Sequence, residues 1–328
     1  MSSKIVVNRL KLSLGNLESL PAMPEIARRL LNLPLDTDAG ELQMISLIEK
    51  DPQLYARVVG LANSSAMGSQ RQIKGIRDAA MLLGMKRLKS VALGIAAMST
   101  MLKQPAGKYF DPHDLWTHSM TIAIVMHTIA EAMPKRIRPD ENQIFLAGLL
   151  HDIGFAALHY LDFGASEELH HQMRLNPKSS ILEMESELLG VSHVEIGAQL
   201  VRHWNLPREI ADVVERHHAP PTGKEAYVNP LIRLVNIAER LLPDFGFAEH
   251  TFDPVEESEW RELCIDSARV TEILDLANEL AMQVVQLPDM EIAAVPEAVP
   301  APLAPAARGR FASIVDAMRR MAAWMKFW

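Results

Sequence analysis

Apolar residues along this chain recur at intervals of three and four almost throughout. The strict alternation of half-buried strands is missing, so the pattern predicts an all-α fold. Pro24 opens a first helix running to about Leu33, with Ile26, Ala27, Leu30 and Leu31 as its buried face. Leu42, Ile45 and Ile48 mark a second helix, and Leu54, Val58, Val59 and Ala62 a third, the break between them falling at Asp51 and Pro52. Two more helices, over 78–83 and 86–98, are separated by Gly84, a residue suited to a helix C-terminus. A short loop at 104–107 leads into a second helical block from about Asp114 to Leu287. The stretch 293–308 is rich in alanine and proline and reads as a semi-rigid linker. Beyond it, Phe311, Ile314, Val315, Met318, Met321, Ala322, Met325 and Trp328 share one face of an amphipathic helix. The expected organisation is an N-terminal helical unit over 1–104, a second helical unit over 105–290, a linker over 291–310 and a C-terminal helix over 311–328.

The 328 residues are 48% hydrophobic, enough for a sizeable core. Cys264 is the only cysteine, which excludes a disulfide framework or a thiolate zinc site within one chain and fits a reducing compartment. No signal-peptide pattern opens the chain, and no uninterrupted apolar run approaches the roughly 20 residues of a membrane span, so the expected location is cytoplasmic. The net charge of −8 conceals an asymmetry: residues 1–104 carry +6, residues 105–290 carry −16 and residues 291–328 carry +2. So acidic a central block argues against direct nucleic-acid binding and is suited to attracting cations. Arg71, Lys74, Arg77, Lys86, Arg87 and Lys89 form a basic cluster, read as a solvated helical face, with an acidic partner or a phosphate as the alternative. For residues 311–328, protein contact is the favoured role and membrane-surface contact the competitor.

Candidate chemistry lies in the middle block, where polar residues occupy positions that the periodicity assigns to the interior. His151 and Asp152 follow the apolar run 144–150 and are followed by Ile153 and Gly154. An adjacent imidazole and carboxylate at a helix end can address one cation, and a carboxylate can bridge two. His118 lies on the stripe of Leu115, Ile122, Val125 and Ile129, with Asp114 one turn earlier. His193 starts a helix for which Ser192 and Glu195 supply a capping box. His217, with His218 beside it, ends the face of Ile210, Val213 and Val214. Neutral imidazole and carboxylate suit Fe, Mn, Ni, Co or Zn, in one or two ions. The bland reading is that the same histidines satisfy one another in a metal-free core. His113, His127, His159, His170, His171, His203 and His250 share no joint pattern and read as surface or packing residues.

These residues resemble the HD superfamily of metal-dependent phosphohydrolases, whose pattern is a His, an HD pair, and later His and Asp ligands. LPAMP at 20–24, IEKDP at 48–52, LANSS at 61–65 and AAMLLG at 79–84 look like the hallmark segments of its HDOD branch, the HD-related output domains. That resemblance covers roughly residues 15–285. It implies a helical N-terminal bundle packed on an HD-type bundle, and a regulatory role in bacterial signal transduction through a signalling protein partner. His118, His151, Asp152, His193, His217 and His218 are similar to the metal ligands of the related HD-GYP phosphodiesterases, which degrade cyclic di-GMP. Asp114 matches an additional acidic ligand there. Three departures separate this chain from those enzymes. Phe155 stands where a lysine usually follows HDIG, the GYP segment is missing after His218, and Glu239 replaces the final Asp ligand, at what the helical wheel puts as the edge of the apolar face. The resemblance thus implies a regulatory module with a retained metal site. The alternative is a phosphohydrolase of nucleotides or cyclic dinucleotides, in which Asp152 is the catalytic candidate that orients the nucleophile.

Overall fold

Side-chain caps set several of the helix starts. In the N-terminal block, α1 (Glu25–Asn32) follows Pro24, α2 (Asp38–Glu49) is capped by Thr37, and α3 (Pro52–Ala62) is capped by Asp51, whose carboxylate accepts from the N–H groups of Gln53 and Leu54. Gly84, at φ 79°, divides α4 (Ile76–Leu83) from α5 (Met85–Met98), as the sequence predicts. The second block comprises α6 (Pro112–Ala132), α7 (Glu141–Leu150), α8 (Ile153–Leu161), α9 (Phe163–Leu175), α10 (Ile181–Leu188), α11 (His193–His203), α12 (Arg208–Arg216), α13 (Pro230–Leu241), α14 (Glu257–Glu262) and α15 (Val270–Val285). The computed structural model describes residues 20–63, 67, 72–101, 103–219, 229–241 and 254–285. Among the described residues every regular element is helical.

The centre of the second block is α6, buried all round from His118 to Ala130 because its neighbours enclose it: α7, α13 and α15 all pack on it. α7 also packs on α5, so one helix joins the two blocks into a single core. Polar contacts reinforce that seam. The Arg57 guanidinium lies 5.2 Å from the Trp116 ring centre, Arg87 lies 5.3 Å from that of Phe145, and Trp204 Nε1 donates to Pro21 O at 2.8 Å. α11 packs on α8 and α12, which brings the chain segments around His151, His193 and His217 together.

The helix that Leu42, Ile45 and Ile48 mark is α2, which buries Met44, Ile45, Leu47 and Ile48 and leaves Leu42, about 200° around the helix from Met44, 53% exposed. The stretch Glu141–Leu161 is long and apolar enough on average to cross a membrane, although His151 and Asp152 interrupt its apolar run as the sequence shows; 89% of its most apolar 18-residue window is buried inside the fold, as core helices are. The basic cluster is dispersed, since Lys89 Nζ donates to the carbonyls of Leu31 and Leu33 at the C-terminal end of α1 and Arg87 covers Phe145, leaving Lys74, Arg77 and Lys86 exposed. Arg71, His250, the linker 291–310 and the helix 311–328 lie outside the described residues.

Candidate metal centre

α7 delivers His151 at its C-cap, and Asp152 follows as the residue that starts α8. An aspartate in that position ordinarily accepts hydrogen bonds from the helix N–H groups, a contribution of about 1 kcal/mol. Asp152 makes no such bond. Its two oxygens instead face opposite groups of imidazoles, at φ −101° and ψ 16°, a sparsely populated backbone region common at functional sites. Gly154 makes this possible: a Cβ there would lie 1.9 Å from the His193 carbonyl oxygen, so only glycine lets α8 approach the start of α11.

Asp152 Oδ2 lies 3.3 Å from His151 Nε2 and 3.4 Å from His118 Nε2, while Glu239 Oε1 lies 2.8 Å and 3.1 Å from the same two nitrogens. On the other side, Asp152 Oδ1 lies 3.3 Å from His217 Nε2 and 3.6 Å from His193 Nε2, and His218 Nε2 stands 3.1 Å from His193 Nε2. Two sets of converging donor atoms result, His118–His151–Asp152–Glu239 and Asp152–His193–His217–His218, each within 4.8 Å, with Asp152 common to both. All are buried except His218, which is half-buried. Three rings have Nδ1 engaged: His151 with Gly148 O at 2.8 Å, His217 with Val214 O at 3.1 Å, and His193 with Glu185 Oε1 at 2.8 Å. A carbonyl only accepts, so Nδ1 of His151 and His217 donates, and Nε2 is turned toward the centre.

The donor set passes a direct test of fit. Asp152 Oδ1 and Oδ2 and His217 Nε2 are buried without a hydrogen-bond partner, close to ring nitrogens but not in hydrogen-bond geometry. Buried polar atoms are costly in that state, and a cation between them removes the cost. These buried clusters could hold a metal ion, and imidazole with carboxylate suits a divalent transition metal. The electrostatics agree. Burial alone would depress His118, but the charges of Glu239 and Asp152 outweigh it and hold the ring up at about 10; the same carboxylates hold His151 well above its ordinary value. Burial would raise Asp152, and the histidines around it hold it well below the usual carboxylate range, as His118 and His151 do for Glu239. Burial depresses His217, and His218 adds to that. Two carboxylates at this depth demand positive charge beside them, which protons supply to the imidazoles if an ion does not.

The HDOD domain model matches residues 20–220, well over half of the chain. This chain belongs to the HDOD family. An HDOD domain protein of Geobacter sulfurreducens with unknown function is 27% identical and superposes with a TM-score of 0.62, over 83% of this chain and 98% of that one. A protein of Marinobacter aquaeolei VT8 whose name assigns it to signal transduction is 25% identical, with a TM-score of 0.69 over 88% of this chain and 66% of its own. An uncharacterised protein of Treponema pallidum (strain Nichols) is 22% identical over 234 residues, which is 70% of this chain and 44% of that one. This HDOD chain therefore spans less than half of that curated relative and about two thirds of the Marinobacter chain.

Of the residues singled out in the sequence of this HDOD protein, His118, His151, Asp152, His193, His217 and His218 come together. Asp114 does not: it is half-buried on the first turn of α6 and outside both sets of donor atoms. The acidic position beside His118 and His151 is filled by Glu239, which is 6% exposed rather than at the edge of an apolar face, because α13 packs on both α6 and α7. Asn236 serves differently, donating to the His217 carbonyl at 2.9 Å. Phe155 stacks on the His193 ring, with centroids 4.1 Å apart and planes 13° from parallel. Sequence reasoning missed Glu185, whose carboxylate is fully buried and accepts from the His193 backbone N–H at 3.0 Å as well as approaching its ring. Burial pushes Glu185 up to about 8 against the pull of that N–H and of His218, and the charge of a nearby ion would draw it back down. Its place four residues after Ile181, on the buried stripe of α10, is the signal that could have revealed it.

Proposed function

We propose that this HDOD protein is a cytoplasmic signal-transduction module. In this reading His118, His151, Asp152 and Glu239, with His193, His217 and His218, hold one or two divalent transition-metal ions, and the module acts on a signalling partner through protein contact rather than by hydrolysis. The observation that carries the metal reading is the Asp152 carboxylate, which forgoes its helix cap to face two sets of donor atoms. Signal transduction is supported by the family and by the name of the Marinobacter relative. Two units, 1–104 and 105–290, would then relay the state of the centre across the α5–α7 seam, and the amphipathic 311–328 segment offers a further protein-contact surface.

A bound ion would supply Lewis acidity toward water or a phosphoryl oxygen. The surrounding residues do little to exploit that. Phe155 is fully buried and apolar, so it brings no cation to a phosphate and covers one face of His193. The competing phosphohydrolase reading rests on His218, whose half-buried position gives the cluster one edge open to solvent; there Asp152 would orient the attacking water. Hydrolysis of cyclic di-GMP, nucleotides and a generic phosphodiester by the metal-loaded chain decides between them. The expected result is no turnover that distinguishes wild type from Asp152→Ala. Wild-type turnover that disappears in the variant would establish the hydrolase reading instead.

A further inference from the structure

We propose that Glu185 is a positioning residue that tunes one half of the metal centre through His193. This inference rests on the metal reading above and deepens it. Glu185 belongs to neither set of donor atoms, yet its side chain is fully buried, a costly place for a carboxyl group that has no task. Its task is legible in its contacts. Oε1 accepts the His193 backbone N–H at 3.0 Å, and both oxygens lie 2.8 and 2.9 Å from His193 Nδ1.

With an ion bound and Glu185 ionised, its carboxylate can only accept, so Nδ1 carries the proton and the lone pair of Nε2 points away from Glu185, toward Asp152 Oδ1 and His218 Nε2. Phe155 fixes the same ring from its face. The imidazole is thereby held at an edge and a face, and the negative charge behind Nδ1 makes Nε2 a stronger donor. Carboxylates placed behind a ligand histidine act this way in metal sites generally. His151 and His217 have only backbone carbonyls in the equivalent place, so His193 alone of the three receives a full charge. The two halves of the centre are therefore unequal. Glu185 strengthens the half built from Asp152, His193, His217 and His218 and leaves the half built around His118 and His151 untouched.

Cobalt(II) titration of the full-length chain tests this, followed by calorimetry and by the visible ligand-field absorption of the bound ion. Glu185→Ala is expected to weaken the ion on the His193 side by roughly 10- to 100-fold and to alter its spectrum, with a smaller loss in Glu185→Gln, which keeps the shape and a neutral acceptor. Adding Glu185→Ala to His193→Ala should cost nothing further, because the effect passes through that ring. Wild-type affinity and spectrum in Glu185→Ala would overturn the inference. So would an equal loss in the His193→Ala background, which would make Glu185 a general prop of the fold. If Glu185→Ala does not fold, an unchanged Glu185→Gln spectrum and affinity overturns it on its own. Failure of the wild-type chain to take up cobalt would overturn the metal reading and this inference together.

Discussion

The ring of Phe155 lies flat against that of His193, 4.1 Å between centroids. Phe155 is fully buried, and it also meets His170 edge-on with centroids 5.5 Å apart, so it plugs the space between α8, α9 and α11. Phe155→Ala should therefore cost about 3–5 kcal/mol of stability, measured by urea unfolding, and leave the His193 ring held only at its Glu185 edge. A loss below about 1 kcal/mol would show that the surroundings collapse into the gap and that the stacking is not structural.

The approach of α8 to α11 depends on one missing side chain. A Cβ on Gly154 would meet the backbone of His193, which cannot rotate away as a side-chain tip could. Gly154→Ala should destabilise the chain by about 3 kcal/mol and lower its metal content together, because relief of the clash moves His193 away from Asp152. A stable Gly154→Ala chain with wild-type metal content would contradict the packing argument.

Acid sensitivity should come partly from histidines outside the centre. Burial, reinforced by Arg87 and Arg138, depresses His127 to about 3, and burial depresses His170 to about 4, both from an ordinary 6.5. The unfolded chain binds protons that the folded chain refuses. Stability present above pH 6.5 is consequently lost as pH falls toward 4 and then 3. The urea midpoint should drop over that window, less steeply in His127→Gln, by at most about 1.4 kcal/mol per pH unit. Identical pH profiles for the variant and wild type would refute the assignment to His127.

The helices and their breaks were legible because their signals are local: Pro52 and Asp51 at one junction, Gly84 at another, Ser192 and Glu195 at a third. So was the shared interior placement of the six residues that come together, since each histidine sits on or beside an apolar stripe and Asp152 adjoins one of them. Glu239 and Glu185 were harder to read. Glu239 is buried by α6 and α7, which pack on α13 from earlier in the chain, and the stripe of α10 places Glu185 inside without naming its partner, His193 at the start of the next helix. Asp114 illustrates the converse, because helical spacing put it on the side of His118, while the acidic place itself is taken by a residue on another helix. Two faces of α2 carry apolar residues, and tertiary packing buries the one with Met44 and leaves Leu42 exposed.

The central claim is that Asp152 serves both sets of donor atoms. Transition-metal content of the chain, purified without an affinity tag and then reconstituted, tests it most directly when wild type, His118→Ala and Asp152→Ala are compared by elemental analysis. The account predicts about one to two equivalents in wild type, a partial loss in His118→Ala, and near-complete loss in Asp152→Ala. Less than about a tenth of an equivalent in the wild-type chain after reconstitution, or equal losses in the two variants, would contradict it.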